Sequence, residues 1–375
     1  MKKIMIFYGS YGGGHLSAAK AIKEYIESNY SDAEIQLIDC VEYVNKYLNK
    51  FTTKAYNDMA KVAPKAWGYI YKKAESGIVG KFSIDINKLM AIKLHKLLRN
   101  FNPDYVVSTH PFSSFMCAYL KKKGKANFYL STILTDFASH DQWLMYPEFV
   151  NSFFVAHAGM KEILVSKGIN ANKIYITGIP LSQRFLKKHN NLETFEEFNL
   201  NPDKKTILFF GGGKMGLGKT TTLEILKILA NDFNNFQIIA ISGQNKDMYK
   251  NFVDIVKNAN REDSIKVLEF TDKVPELMNI SDLVITKPGG LTTTESLASN
   301  LPMIVINPIP GQEEENAEFL ENNGVGIWIK KDDNIKEKLN IILSDSIKLK
   351  EMKENTKQLA KPYSTENICN AIFDS

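Results

Sequence analysis

The residues with chemistry to offer stand in short clusters, each following an apolar run. The first is Tyr8-Gly-Ser-Tyr-Gly-Gly-Gly14-His15. Glycines such as Gly14 let the backbone come close to a ligand, and a helix starting behind them favours negative charge. A histidine held at such a point can take a proton near neutral pH. A tight turn that needs glycine for geometry alone explains the glycines but not His15. The second cluster runs Phe209-Phe-Gly-Gly212-Gly213-Lys-Met-Gly216-Leu-Gly218-Lys219-Thr220. From Gly213 to Thr220 it satisfies G-x-x-x-x-G-K-[ST], the phosphate loop of nucleotide hydrolases. Such an enzyme also needs an acid at the end of an apolar strand to reach Mg²⁺. The later apolar runs end instead in Ile-Ser-Gly, Ile-Thr-Lys and Ile-Asn-Pro, so the loop reads as a general diphosphate cradle.

Two further clusters lie downstream. In Asp282-Leu-Val-Ile-Thr-Lys-Pro-Gly-Gly290-Leu-Thr292-Thr293-Thr-Glu295, threonine hydroxyls and free backbone N–H groups at a helix start suit a phosphate. Glu295 can accept from two ribose hydroxyls, or close a capping box with Thr292; spacing alone does not choose. In Pro308-Ile-Pro-Gly-Gln312-Glu313-Glu-Glu-Asn316, the acids compensate a helix dipole, or Gln312 and Glu313 grip a sugar. In the first half, Ser108-Thr-His110-Pro-Phe and Thr135-Asp136-Phe-Ala-Ser-His140-Asp-Gln-Trp143 also follow apolar runs, as candidates for acceptor binding or acid–base work. His15, His110, Asp136 and His140 could together hold a metal, but no ligand spacing supports it.

These clusters need a scaffold that presents them along one edge. Short β-rich runs alternate with longer amphipathic segments throughout, the pattern of parallel α/β units. Strands are predicted near Lys3–Tyr8, Glu34–Ile38, Asp104–Ser108, Phe128–Leu134, Ser152–Ala156 and Lys173–Thr177. In the second half they are predicted near Thr206–Phe210, Gln237–Ile241, Ile265–Glu269, Leu283–Thr286, Met303–Ile306 and Val325–Ile329. The polar stretch Phe185–Asp203 has no strand signal and reads as a linker. At 375 residues, two doubly wound domains are expected, with ligands outside the carboxyl ends of their strands and the site in a cleft between them.

The composition, 44% hydrophobic and 24% charged, is that of a folded globular chain. Residues 1–190 carry 26 basic and 14 acidic side chains, whereas 191–375 carry 21 and 28, which points the first half at something anionic. Three scattered cysteines exclude a disulfide framework or zinc site and suit a reducing compartment. The first apolar run stops at Gly9, too short for a signal peptide. No uninterrupted apolar stretch approaches the ~18 residues of a membrane span. Residues 46–99 carry 12 basic against 3 acidic side chains, with aromatics interleaved; Lys65, Trp67, Lys72 and Lys73 stand at their centre. Such a segment suits anionic lipid headgroups, although a nucleic-acid groove or a solvated basic face fits the same composition.

Taken in order, Gly9–His15, Asp136–Trp143, Gly211–Gly218, Lys287–Glu295 and Pro308–Asn316 resemble the monogalactosyldiacylglycerol synthase and processive diacylglycerol glucosyltransferase family, over nearly the whole chain. The resemblance implies the α/β GT-B fold, two Rossmann-like doubly wound domains facing across a cleft. An acceptor and membrane-docking domain is expected at 1–188, joined by a returning helix at 363–375, and a UDP-sugar domain at 200–361. It implies ribose contact by Glu295, donor-sugar contacts by Gln312 and Glu313, and diphosphate contact by Gly212, Gly213, Gly290, Thr292 and Thr293. Phe270 and Val274 fall in the stretch resembling the uracil-binding segment, and Gly14 lies on the donor side of the first loop. Lys219 departs from the family pattern.

The reaction implied is inverting transfer of a hexose, glucose before galactose, from a UDP-sugar to the 3-hydroxyl of 1,2-diacylglycerol. His15 is the candidate base, with Asp136 in reserve or orienting an acceptor or base. His110, His140 and Trp143, with the basic segment, are candidates for acceptor or membrane contact. No two aspartates stand in D-x-D spacing, so helix N-termini, loop amides and lysines are expected to stabilise the leaving diphosphate without metal or cofactor. Expected partners are the UDP-sugar, diacylglycerol and anionic lipids, not nucleic acid, at the cytoplasmic face of the cell membrane. A polyprenyl-linked acceptor, a non-catalytic UDP-sugar sensor and a phosphate-loop ATPase are the rivals.

Overall fold

Parallel strands covered on both faces must be apolar along their length, so they read as continuous Val/Ile/Leu/Phe runs. In the computed structural model, which describes residues 1–10, 13–44, 78–212 and 218–373 (78–89 by their backbone), every predicted run is a strand. They are β1 (Lys2–Tyr8), β2 (Ala33–Asp39), β3 (Tyr105–Ser108), β4 (Tyr129–Ile133), β5 (Ser152–Val155) and β6 (Ile174–Ile176). The series continues with β7 (Lys205–Phe210), β8 (Phe236–Ile241), β9 (Ile265–Leu268), β10 (Leu283–Thr286), β11 (Met303–Val305) and β12 (Gly326–Trp328). The polar stretch after Gln183 carries no strand; it holds the short helix Asn191–Glu197.

The chain forms two units. The first takes Met1–Gln183, Pro310–Gln312 and Lys361–Ser375, the second Arg184–Ile309 and Glu313–Ala360. Among the described residues, the first has a parallel sheet in the order β2-β1-β3-β4-β5-β6 and the second one in the order β12-β11-β10-β7-β8-β9. The strand order reverses beside β1 in one sheet and beside β7 in the other, and both strands are followed by a glycine cluster. Crevices that bind ligands open at the carboxyl ends of strands where the order reverses, so topology puts each glycine loop at its own unit's crevice.

Each sheet is held by an apolar core. In the first unit Ile4, Ile6, Ile22, Ile26, Val107 and Phe154 pack with Ile368, Cys369, Ile372 and Phe373 of the helix Ser364–Phe373. That helix is tied down at its start, where Thr365 Oγ1 accepts from Leu181 N at 2.9 Å and donates to Leu181 O at 2.7 Å. In the second unit Ile207, Phe209, Ile238 and Ile285 pack against Leu226, Leu229 and Phe252 of the flanking helices. All three cysteines are buried and unpaired. Burial pushes the Cys40 thiol up to about 12, leaving it inert at neutral pH. No described helix is long and apolar enough to cross a membrane.

Candidate active site

In the first unit the helix Gly14–Asn29 begins within the loop that follows β1, and His15 is its second residue. His15 Nδ1 lies 2.6 Å from the carbonyl oxygen of Thr109 and 3.0 Å from Thr135 Oγ1. A carbonyl only accepts, so Nδ1 carries the proton and Nε2 the lone pair. Burial holds the imidazole down to about pKa 4, against the opposing pull of the Thr109 bond. His15 is therefore neutral at pH 7, with its basic nitrogen bare.

The aromatic neighbours are supports. His110 meets His15 edge-on at 4.6 Å between ring centroids. It caps the helix Pro111–Lys122 by accepting from Phe112 N at 3.2 Å. Gly9 is required beside it, because a Cβ there would fall 2.7 Å from the His110 ring. Trp143, expected at an acceptor or membrane surface, is 1% exposed; its ring lies 6.4 Å from that of His15 and 5.9 Å from that of His140. It forms the floor under the histidines rather than a docking surface. Burial, and then the neighbouring His15, lower the pKa of His110 well below the ordinary value and that of His140 to about 4. Both stay neutral at pH 7, since burial outweighs the opposing pull of Asp141 on His140.

Asp136 is buried just past the end of β4 and accepts a hydrogen bond from the Gln312 side chain, in the segment Pro310–Gln312 of the same unit. The groups at His15 Nδ1 among the described residues are Thr109 and Thr135. Lys65, Trp67, Lys72 and Lys73 lie outside the described residues.

In the second unit β7 leads into the glycine loop through Gly212, while Gly213 lies outside the described residues. The loop closes on Gly218, at φ +72° the N-cap of the helix Lys219–Asp232. A Cβ there would fall 2.0 Å from Asn307 Cγ, and Asn307 Nδ2 donates to Gly218 O at 3.2 Å and Thr222 Oγ1 at 3.0 Å. No acid ends β8, β10 or β11, where Ser242, Lys287 and Ile306 follow. Asp282 stands at the opposite end of β10, paired with Lys353 at 2.7 Å. A Walker-type Mg²⁺ acid is absent from these strand ends, as read from the sequence.

The helix Gly290–Ala298 is capped by Gly289, with no side-chain cap. Thr292 is thus already inside the helix and Glu295 lies in its second turn, which removes the capping-box alternative. Glu295 is half-buried, its carboxylate has no hydrogen-bond partner among the described residues, and burial pushes its pKa up to about 7. Gly290 is buried and Thr293 fully so, its hydroxyl without a partner; Thr292 is the half-buried threonine of the pair. Glu313 lies at the start of the helix Gln312–Asn322. Its Oε2 accepts from Ile309 N at 2.7 Å and lies 3.3 Å from Lys287 Nζ. Asn316 Nδ2 donates to Pro288 O at 2.9 Å, fastening that helix to the Lys-Pro-Gly-Gly turn. Phe270 is 68% exposed beyond the end of β9, and Val274 opens the short helix Val274–Asn279. No group of three or more His, Cys, Asp or Glu among the described residues is placed to hold a metal ion.

Thr109, Thr135, Lys287, Asn307 and Asn316 are the residues that motif reading did not single out. Lys287 could have been found, since it stands at the carboxyl end of a strand beside a glycine turn.

Comparison with known proteins agrees with this arrangement. Residues 15–181 match the family described as monogalactosyldiacylglycerol (MGDG) synthase, and residues 190–359 match glycosyl transferases group 1. A processive diacylglycerol β-glucosyltransferase of Bacillus licheniformis is 29% identical over 374 residues, covering 100% of this chain and 95% of that protein. The protein of the same name from Bacillus subtilis is 29% identical over 373 residues, covering 99% and 95%. Among solved structures, Acinetobacter baumannii MurG superposes with a TM-score of 0.69 at 16% identity, with all of both chains covered. The UDP-GlcNAc 2-epimerase of Neisseria meningitidis, solved with UDP-GlcNAc bound, gives 0.64 at 14% identity over all of both chains. Two Rossmann-like domains in one chain give the GT-B fold, which the epimerase shares; the match to glycosyl transferases group 1 and the names of the full-length relatives make the chain a glycosyltransferase of that fold. Within that class, the first part of the chain matches the monogalactosyldiacylglycerol synthase family, and its whole length is similar to processive diacylglycerol β-glucosyltransferases.

Proposed function

We propose that this enzyme transfers glucose from UDP-glucose to the 3-hydroxyl of 1,2-diacylglycerol with inversion, and that it can extend the β-glucosyl product with further glucose. The observation that carries the acceptor half is the tautomer of His15: Nδ1 is tied to the Thr109 carbonyl, which leaves the lone pair on Nε2. Nε2 takes the proton of the lipid hydroxyl as its oxygen attacks the anomeric carbon, and the bond from that carbon to UDP breaks. On the donor side Glu295, half-buried and unpartnered, suits two vicinal ribose hydroxyls that would satisfy the carboxylate on binding. The exposed Phe270 ring suits a base face, and Gln312 and Glu313 suit the sugar hydroxyls.

Charge growing on the leaving diphosphate is met by the N-terminus of the helix Gly290–Ala298, the amides of the glycine loop and Lys287. In this reading the reaction needs no metal, since the chain has neither a D-x-D pair nor a described ligand cluster to hold one. The enzyme works peripherally, on the cytoplasmic face of the cell membrane. The basic excess of residues 46–99 supports attraction to anionic lipid there.

Purified protein offered UDP-glucose, UDP-galactose and UDP-N-acetylglucosamine separately, on diacylglycerol liposomes, tests the reading. Turnover with UDP-glucose, unaffected by EDTA and raised by anionic lipid, is the expected result. UDP binding without turnover for any donor would overturn the diacylglycerol assignment and favour a polyprenyl-linked acceptor or a sensor.

A further inference from the structure

An imidazole that accepts a proton on Nε2 becomes a cation, and the groups on its Nδ1 decide how well that cation is held. The familiar solution is a buried carboxylate that orients the ring and balances its charge. Here, among the described residues, the two groups bonded to Nδ1 are both neutral: the Thr109 carbonyl at 2.6 Å and the Thr135 hydroxyl at 3.0 Å.

Thr109 is itself immobilised. Its N–H donates to Phe7 O at 3.0 Å, and its Oγ1 lies 3.2 Å from Phe7 O and donates to His15 O at 2.9 Å. One residue thus grips both the backbone and the ring of His15. Thr135, 3% exposed just past β4, comes from a different part of the sheet. Because Nδ1 carries the hydrogen, Thr135 Oγ1 meets it as a second acceptor, with a lone pair rather than a proton towards the ring.

Resting on the reading of His15 as the base, we propose that Thr109 and Thr135 together take the place of the carboxylate of a His–Asp pair. The Thr109 carbonyl fixes the tautomer, and Thr135 is a positioning residue whose hydroxyl holds the Nδ1 proton of the imidazolium while the acceptor is deprotonated. The chemistry balances within the transfer itself. The acceptor proton moves to Nε2, the new carbon–oxygen bond replaces the bond to UDP, and His15 returns the proton to solvent after product leaves. Neutral partners keep the resting ring neutral with its Nε2 lone pair available, while holding the imidazolium less strongly than a carboxylate would.

The test compares Thr135→Val, Thr135→Ser, Thr135→Ala and His15→Gln with the native enzyme, reading kcat and KM for glucose transfer and the melting temperature. A hydrogen bond to a charged group has a larger effect than a neutral one, so Thr135→Val is expected to lower kcat about 10- to 100-fold with KM unchanged. Thr135→Ser, which keeps the hydroxyl, is expected to restore kcat to near the native value. Should the valine variant fail to fold, the serine and alanine variants give the same comparison, serine exceeding alanine by the same factor. Native kcat in Thr135→Val alongside an inactive His15→Gln would overturn the role of Thr135 and leave the base in place. So would equal impairment of the serine and alanine variants, or a loss confined to KM. Full activity of His15→Gln would remove the base and this proposal with it.

Discussion

His15 and Glu295 are both displaced from their ordinary pKa by burial, in opposite senses. His15, held at about 4, is neutral wherever the enzyme works, so no acid limb belonging to it enters the neutral range. Glu295, raised to about 7 from 4.5, is a carboxylate whose ionisation is unfavourable until hydroxyls solvate it. The linkage follows from the sign: the folded protein holds the Glu295 proton more tightly than the unfolded chain, so stability is lost as pH rises from about 4.5 to about 7. Glu295→Gln is therefore expected to raise the melting temperature above pH 7 and to leave it unchanged near pH 4. The same variant should weaken UDP binding about tenfold or more at pH 8, read by calorimetry. An equal change in melting temperature at both pH values would contradict the assignment. His15 was legible as a chemical residue because it stands beside a glycine cluster. Its partners were not, since Thr109 and Thr135 lie 94 and 120 residues away, and one acts through a carbonyl that every residue possesses.

At the scale of elements, strands were the most legible feature, because a parallel strand buried on both faces leaves an apolar run that few other structures produce. The start of the helix Gly290–Ala298 was less legible. Thr292-x-x-Glu295 has the pattern of a capping box, but the Lys-Pro-Gly-Gly turn starts the helix earlier, at a glycine N-cap. The end of the glycine loop of the second unit, at Gly218, is likewise set by backbone demands. Gly218 sits at φ +72° against Asn307, where the left-handed backbone alone costs a side-chain-bearing residue about 1–2 kcal/mol. Gly218→Ala should lower stability by at least that much and weaken UDP binding; unchanged UDP affinity would show that the loop does not face the diphosphate. The helix Ser364–Phe373 gives a complementary prediction. Ile372 is fully buried in the first unit's core, so Ile372→Ala should cost about 2–5 kcal/mol in denaturant unfolding. UDP affinity, which this account places on the second unit, should be unchanged in that variant.

At the scale of the whole molecule, the chain divides its labour. In the proposed reading the first unit carries the base, along with the positive half of the sequence, and the second carries the loop, helix start and carboxylate suited to a nucleotide sugar. That division was readable from charge and motif order. The return of the last helix to the first unit was expected from the resemblance, but the first unit also claims Pro310–Gln312, a pairing that only three-dimensional packing reveals. The central claim, an inverting glucosyl transfer to diacylglycerol by a neutral histidine base, is tested most directly on the product. Proton NMR of the lipid formed from UDP-glucose and 1,2-dioleoylglycerol reads the sugar, the attachment point and the anomeric configuration together. A β-glucoside on the 3-hydroxyl, shown by the large coupling between the sugar's first two ring protons, is the predicted result. An α-glucoside, or a lipid product bearing no glucose, would contradict the account.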